Sequence, residues 1–196
     1  TRAMDQAGDG DADTEEDELT FVGFTTFVDP PKASAATAIR ALANSGVSIK
    51  ILTGDNDRVT RHLCNELDIP VLGVVTGEQL SAMSQEALLG SLPRLNVFCR
   101  VTPQQKLRVL SALKQCGQVA GFLGDGVNDA AALHAADVGV SVDAGADVAK
   151  AAADIVLLEQ DLSVLHDGVV EGRRTVINVD KYILMASSAN FGNILS

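Results

Sequence analysis

Short apolar runs alternate with amphipathic stretches of helical length, and this alternation limits the possible folds more than any other feature of the chain. The runs that we predict to be strands are 19–28, 47–52, 97–99, 119–123, 138–142 and 155–158. The runs 47–52, 97–99 and 119–123 are each followed by a polar turn and a stretch with helical periodicity. This order predicts βαβ units, and hence a Rossmann-like α/β fold with a mainly parallel sheet and helices on both faces.

Negative charge is concentrated at the start of the chain. The 196 residues carry a net charge of −11, and residues 1–20 contain eight acids against the single base Arg2. The remainder has a net charge of only about −4 and no run of Lys and Arg. Because phosphate backbones are bound by basic stripes, we expect no nucleic-acid partner. We interpret residues 1–18 as an acidic linker.

Three polar turns follow predicted strands, at 53–56, 102–106 and 124–129. In a parallel sheet, ligands bind at the edge formed by the carboxyl ends of the strands, so we expect the three turns to form one site. Asp125 and Asp129 offer hard oxygen ligands suited to Mg²⁺. The intervening glycines, Gly124 and Gly126, allow a close approach of the backbone. This pattern favours a metal site over a merely capped turn.

The other two turns suit a phosphoryl group. Thr53 and the backbone of Gly54 can donate hydrogen bonds to phosphoryl oxygens, and Lys106 offers a positive charge. Thr102 and Gln105 predict a capping box, which makes 103–106 the start of a helix. Each feature is weak by itself, since Thr-Gly-Asp is a common turn and a lysine on a helix is more often solvated than catalytic.

No nucleophile accompanies these turns. The chain contains no GxxxxGK[ST] loop and no Asp in a DxDx[TV] or DKTGT context. Asp29 follows a predicted strand at 19–28 but is followed directly by Pro30 and Pro31. Asp55 lies in the turn whose threonine suits phosphate better. The residues therefore predict a phosphate and Mg²⁺ site without a nucleophile of its own.

The motifs resemble, in this order, those of the haloacid-dehalogenase superfamily as found in P-type ATPases: Thr53-Gly54-Asp55, 102–106 and 124–130. The element 29–32 is similar to the DPP[RK] element of that family. The runs 121–126, 136–143 and 187–193 most resemble bacterial magnesium-transporting members. The resemblance covers about residues 19–196. Ala131 stands where the family usually has Pro, and we expect no loss of chemistry from that departure.

The resemblance implies three segments. Residues 19–178 would be the C-terminal part of a phosphorylation domain, residues 1–18 a linker or the tail of a nucleotide-binding insertion, and residues 179–196 the start of a transmembrane helix. The phosphorylated aspartate of the family lies in an upstream DKTGT motif that this chain lacks. The chain would then be a catalytic-domain fragment of an ATP-driven cation transporter, with magnesium as the expected cation. We expect this fragment to be inactive alone.

Roles carried over by position remain implications of the resemblance. Asp125 would ligate Mg²⁺, and Asp129 would support the metal. The residues implied to contact the phosphoryl group are Thr53, Lys106 and Asn128. The residues implied to help bind nucleotide or metal are Asp29, Gly54, Asp55, Arg100, Gly124 and Gly126.

The implied cofactor is Mg²⁺ and the implied substrate is ATP. Further implied partners are the transported cation, the rest of the same polypeptide and the lipid bilayer at the C-terminus. The implied location is the cytoplasmic side of a bacterial inner membrane.

Other functions stay open on the residues alone. The chain could be a standalone Mg²⁺- or phosphate-binding module that natively lacks a nucleophile, whereas a small soluble phosphatase would need one. The stretch 182–196 has no charged residue. It fits a buried C-terminal helix as well as a membrane helix cut short, since a bilayer takes about 20 residues to span.

Overall fold

The computed structural model describes residues 31–159 and 161–195. The acidic residues 1–18, the predicted strand 19–28 and Asp29 lie outside the described residues. The elements follow one another as α1 (Ala33–Asn44), β1 (Ile51–Leu52), α2 (Asp57–Glu66), β2 (Val74–Thr76), α3 (Gly77–Ala82), α4 (Gln85–Ser91), β3 (Val97–Cys99), α5 (Pro103–Gln115), β4 (Gly121–Leu123), α6 (Ala130–Ala135), β5 (Val138–Val142), α7 (Asp147–Ala152), β6 (Ile155–Leu157) and α8 (Ser163–Leu195).

The described strands form two three-stranded sheets, in the orders β1-β3-β2 and β4-β5-β6. Every pairing is parallel, with Val97 opposite both Ile51 and Val74, and Val140 opposite both Leu123 and Ile155. The predicted α/β class is therefore confirmed. Within the described part of the chain, β1 and β4 are edge strands, and no strand of the first sheet pairs with a strand of the second.

Helices cover both faces of the first sheet, as predicted. Phe98 of β3 packs with Leu80 and Val109, which come from α3 and α5. Its neighbours Val97 and Cys99 belong to a different cluster, together with Cys64 of α2 and residues of α1. Since successive strand residues point to opposite faces, β3 is enclosed from both sides.

Three predicted strands are shorter in the structure than in the sequence pattern. The run 155–158 loses only its last residue, since β6 ends at Leu157. The run 47–52 contributes only Ile51 and Leu52 to β1, because Val47 still donates its N–H to the carbonyl of Leu42 at the end of α1. The run 119–123 contributes Gly121–Leu123, and Val119 is 86% exposed. In the runs 47–52 and 119–123, the apolar residues therefore begin before the first residue that pairs in the sheet.

The last helix, α8, is 33 residues long. Near its start it contacts the end of α1, where Arg173 Nη1 donates to the Ser45 carbonyl and His166 Nε2 lies 3.1 Å from Ser45 Oγ. Over residues 31–159 and 161–195, no helix combines the length and the apolar character needed to cross a membrane.

Two aspartates tie the amino ends of neighbouring strands in the second sheet. Asp137 Oδ2 accepts from the Ala120 N–H at 2.9 Å, and Asp154 Oδ2 accepts from the Gly139 N–H at 2.8 Å. The N–H of each aspartate donates back to the carbonyl of the same partner. Each aspartate is the last residue of an Ala-Ala-Asp tripeptide, so the same local motif occurs twice.

Replacement of Asp137 by Asn should make the stability of the domain less dependent on pH. The Ala120 N–H, and then Lys114, hold the pKa of Asp137 below its usual value. A lowered folded-state pKa contributes stability above the unfolded-state pKa, and this is lost as the pH falls through the folded-state value. We expect Asp137→Asn to lower the urea midpoint at neutral pH and the difference to vanish in acid.

The matched control is Asp68→Asn, which removes an ion pair with Arg40 whose side chains are 59% (Arg40) and 71% (Asp68) exposed. Exposed pairs contribute little to stability, so the control should unfold close to wild type at every pH. Equal midpoints for Asp137→Asn and wild type at neutral pH would contradict the assigned role of Asp137.

Candidate active site

The turn after β1 is anchored to β3. The Thr53 N–H donates to the Phe98 carbonyl at 2.9 Å, and the Val101 N–H donates to the Thr53 carbonyl at 3.0 Å. Within the turn, Thr53 Oγ1 donates to Asp55 Oδ2 at 2.9 Å and accepts from the Asp55 N–H at 3.1 Å. The threonine hydroxyl is therefore already oriented, and its proton is engaged by Asp55.

Arg100 meets this turn through its backbone. Its N–H donates to the Asp55 carbonyl at 2.8 Å, and it adopts the left-handed conformation with a φ of 52°. The Arg100 side chain is exposed, as are Gly54 and Asp55. Sequence reasoning placed these residues in one site, and the structure brings them together at the carboxyl ends of β1 and β3.

The turn after β4 folds around Asp129. The Asp129 N–H donates to the Gly126 carbonyl at 3.0 Å, and Asp129 Oδ2 accepts from the Gly126 N–H at 3.4 Å. A Cβ at Gly124 would lie 2.6 Å from Asp129 Cβ, which is closer than such atoms approach. Glycine is therefore required at 124 because the Asp129 side chain occupies the space.

A nearly buried ion pair joins this turn to α5. Lys106 Nζ lies 2.7 Å from Asp129 Oδ1, and the two side chains are only 15% and 13% exposed. Lys106 is in the first turn of α5, directly after the first sheet, whereas Asp129 follows β4 of the second sheet. The pair therefore connects two of the predicted motifs by direct contact.

Asp125 lies beside a cavity of about 270 Å³ that is lined by Leu123, Gly124, Asp125 and Val142. The Asp125 carbonyl accepts from the Ala146 N–H at 2.8 Å, so the loop before α7 holds its backbone. The residue itself is exposed.

The two carboxylates fit the way Mg²⁺ is held in proteins. Magnesium typically takes one or two carboxylates together with water and phosphate oxygens, rather than a complete protein cage. In the described part of the chain, no three His, Cys, Asp or Glu residues cluster as metal ligands. Asp125 is free to reach an ion, while Asp129 already shares one oxygen with Lys106. Further ligands would have to come from bound phosphate and water or from outside the described residues.

The predicted site residues fall into two groups. Thr53, Gly54, Asp55 and Arg100 lie around the end of β1. The second group, at the end of β4, consists of Lys106, Gly124, Asp125, Gly126 and Asp129. Asn128 is exposed in the 3₁₀ turn Val127–Asp129 of this second group. Among the described residues, no hydrogen bond links the two groups.

Sequence reasoning missed the support that the β5–α7 loop gives to Asp125. A Cβ at Gly145 would lie 3.2 Å from the Asp125 carbonyl oxygen and 3.1 Å from Ser141 Oγ. Ser141 is fully buried, and its hydroxyl has no hydrogen-bond partner. The only sequence signal for this contact was a glycine in the polar turn that follows a predicted strand.

Comparison with known proteins identifies the class. Residues 2–137 match the family model of the haloacid dehalogenase-like hydrolases. The chain therefore belongs to the haloacid dehalogenase-like hydrolase family, and the relatives that it matches include magnesium- and calcium-transporting ATPases.

One such relative is the magnesium-transporting ATPase, P-type 1, of Salmonella typhimurium strain LT2, which is 50% identical over 100% of this chain and 22% of its own length. The calcium-transporting ATPase 1 of Bacillus cereus is 36% identical over 95% of this chain and 21% of its own length. A crystal structure of a zinc-transporting PIB-type ATPase in the E2.Pi state matches with a TM-score of 0.62 and 30% identity, over 78% of this chain and 21% of that one. The chain thus spans about a fifth of the length of these curated relatives.

Gly124→Ala tests the packing of the β4 turn. The added methyl group would push against the Asp129 side chain, and overpacking of this kind costs about 1–3 kcal/mol. The matched control is Gly54→Ala, because no atom lies within 4 Å of a Cβ at Gly54. We expect urea unfolding to show the loss for Gly124→Ala and a change under about 0.5 kcal/mol for Gly54→Ala. Equal stability of the two variants would refute the crowding at Gly124.

Proposed function

We propose that this chain is part of the catalytic domain of an ATP-driven cation pump, with magnesium as the transported cation. Its turns would serve transfer of the γ-phosphoryl group of ATP to an aspartate outside the chain, and hydrolysis of the resulting aspartyl phosphate. The observation that carries the proposal is the Lys106–Asp129 pair, which places the Lys106 ammonium and the Asp129 carboxylate beside Asp125. The higher identity to a magnesium transporter than to a calcium transporter supports magnesium.

Phosphoryl transfer of this kind relies on positioning and charge stabilisation. In the proposal, Thr53 Oγ1 and the Gly54 N–H donate to phosphoryl oxygens, Lys106 contributes its charge, and Asn128 adds a hydrogen bond. Because the Thr53 hydroxyl donates to Asp55 in the structure, it must exchange that partner for the phosphoryl group. Asp55 and Arg100, with Asp29, would help to position the nucleotide or the metal.

Asp125 and Asp129 would hold Mg²⁺, with Gly124 and Gly126 keeping the backbone close. When bound, Mg²⁺ neutralises charge on the transferred phosphoryl group. The contribution of the chain itself is to fix the Asp125 backbone through the Ala146 N–H and to orient the Asp129 carboxylate through Lys106.

The nucleophile would come from the rest of the same polypeptide. The chain contains no Asp in a DKTGT context, which supports this. Among the described strands, β1 and β4 are edge strands, and the edge of β1 or of β4 can accept a further strand. A parallel strand added at either edge would end beside the Thr53 and Asp125 turns, because carboxyl ends share one side of a sheet. An aspartate directly after such a strand would face the proposed site.

The proposed location is the cytoplasmic side of a bacterial inner membrane, with residues 179–196 beginning a transmembrane helix in the whole protein. The absence of charge from Tyr182 to Ser196 and the transporter names of the bacterial relatives support this part of the proposal. A standalone module is not favoured, because the 50% identity to a transporter extends over the whole chain.

Asp125→Asn in the whole protein tests the function. Loss of one negative charge at the proposed metal site should abolish Mg²⁺-dependent labelling by γ-phosphate-labelled ATP, while circular dichroism shows an unchanged fold. The control is Asp147→Asn, since Asp147 lies in α7 and its side chain is 98% exposed. Its labelling should equal that of wild type. Normal phosphoenzyme in Asp125→Asn would remove Asp125 from the site, and no labelling in wild type would refute the proposed function itself.

A further inference from the structure

The position of Lys106 is not explained by its own helix. Lys106 lies in the first turn of α5, where its N–H donates to the Thr102 carbonyl at 3.0 Å. A cation near a helix N-terminus is opposed by the helix dipole, and terminal turns fray easily. Something outside α5 must therefore hold this turn if Lys106 is to remain paired with Asp129.

Gln105 makes three hydrogen bonds that meet this need. Its Oε1 accepts from the Thr102 N–H at 2.9 Å and completes the capping box of α5. Its Nε2 donates to the Gly77 carbonyl and to Ser81 Oγ, both at 2.7 Å. One side chain thus closes the helix start and ties it to α3.

The contact between α5 and α3 continues one turn further along. Arg108 donates to the carbonyls of Leu80 and Met83, both at 2.6 Å, at the end of α3. At the other end of α3, a Cβ at Gly77 would lie 2.3 Å from the Arg100 carbonyl oxygen, so this approach requires glycine. Gln105 and Arg108 therefore hold α3 at both of its ends.

We propose that Gln105 is a positioning residue, which fixes the first turn of α5 against α3 and thereby holds Lys106 on Asp129. The functional meaning of this placement rests on the proposed role of Lys106 in phosphoryl transfer. Its physical content is the geometry of the Lys106–Asp129 pair, which is measurable without ATP.

The chain offers a matched control in Gln79. Thr76 and Gln79 form the same capping box at the start of α3, with distances of 2.9 and 3.3 Å that equal those of Thr102 and Gln105. In the described residues, the Gln79 side chain makes no hydrogen bond outside this capping box. Gln79→Ala therefore removes a capping box alone, whereas Gln105→Ala removes a capping box and the bonds to α3.

The experiment is NMR on the ¹⁵N-labelled 196-residue chain, with the Lys106 ammonium signal assigned by its loss in Lys106→Met. A nearly buried ammonium that donates to a carboxylate exchanges its protons slowly enough to be observed. We expect this signal in wild type and in Gln79→Ala. In Gln105→Ala it should disappear or exchange at least about tenfold faster. An unchanged signal in Gln105→Ala would overturn the proposal.

Gln105→Glu keeps the test decisive if Gln105→Ala does not fold. A carboxylate oxygen can still accept from the Thr102 N–H, but the Gly77 carbonyl loses its donor and two acceptor oxygens then face each other. The same loss of the Lys106 signal is expected, and its retention would overturn the proposal. Since neither variant requires ATP or a nucleophile, a failed pump assay and a failed positioning role give different results.

Discussion

The candidate site depends on one contact, the ion pair between Lys106 and Asp129. Charges that leave water are costly unless they are paired, and removal of one partner of a buried pair typically costs about 3–5 kcal/mol. The pair spans the interval between the two described sheets, because α5 follows the first sheet and the Asp129 turn follows the second. Gly124 leaves the space for the Asp129 side chain that makes this contact possible.

In the second sheet, aspartates that stabilise the fold lie at one end of the strands, and an aspartate that is available to a ligand lies at the other. At the amino ends of β4 and β5, Asp137 and Asp154 accept backbone N–H groups and tie adjacent strands. At the carboxyl end, the Asp125 residue is exposed and only its backbone carbonyl is bonded. A carboxylate with backbone donors contributes to stability, whereas an exposed one beside a cavity is free to ligate. Similar side chains therefore differ in use because their hydrogen-bond partners differ.

The sequence predicted features that depend on residues close together in the chain, and it missed features that depend on distant residues. The capping box of Thr102 and Gln105 was predicted and is confirmed, because all its atoms lie within four residues. β2 and α3 were not predicted, since their apolar pattern is short and their support comes from distant residues. Buried Asn96 is an example, as its side chain bonds Pro70 and Leu72 across more than 20 residues. The Lys106–Asp129 contact likewise joins residues that are 23 apart, a distance at which residue spacing gives no signal.

In the proposed function, the Lys106 ammonium and the Thr53 hydroxyl both contact phosphate, but they differ in the hydrogen bonds that they make before phosphate binds. An ammonium has three donors, and the bond to Asp129 uses one, so Lys106 can bind a phosphoryl oxygen without breaking its pair. A hydroxyl has a single proton, and that of Thr53 is given to Asp55. Phosphate binding must therefore release Asp55 from Thr53 while it leaves Lys106 on Asp129. The Asp129 turn is thus organised in advance, and any rearrangement on binding is concentrated in the Thr53 turn.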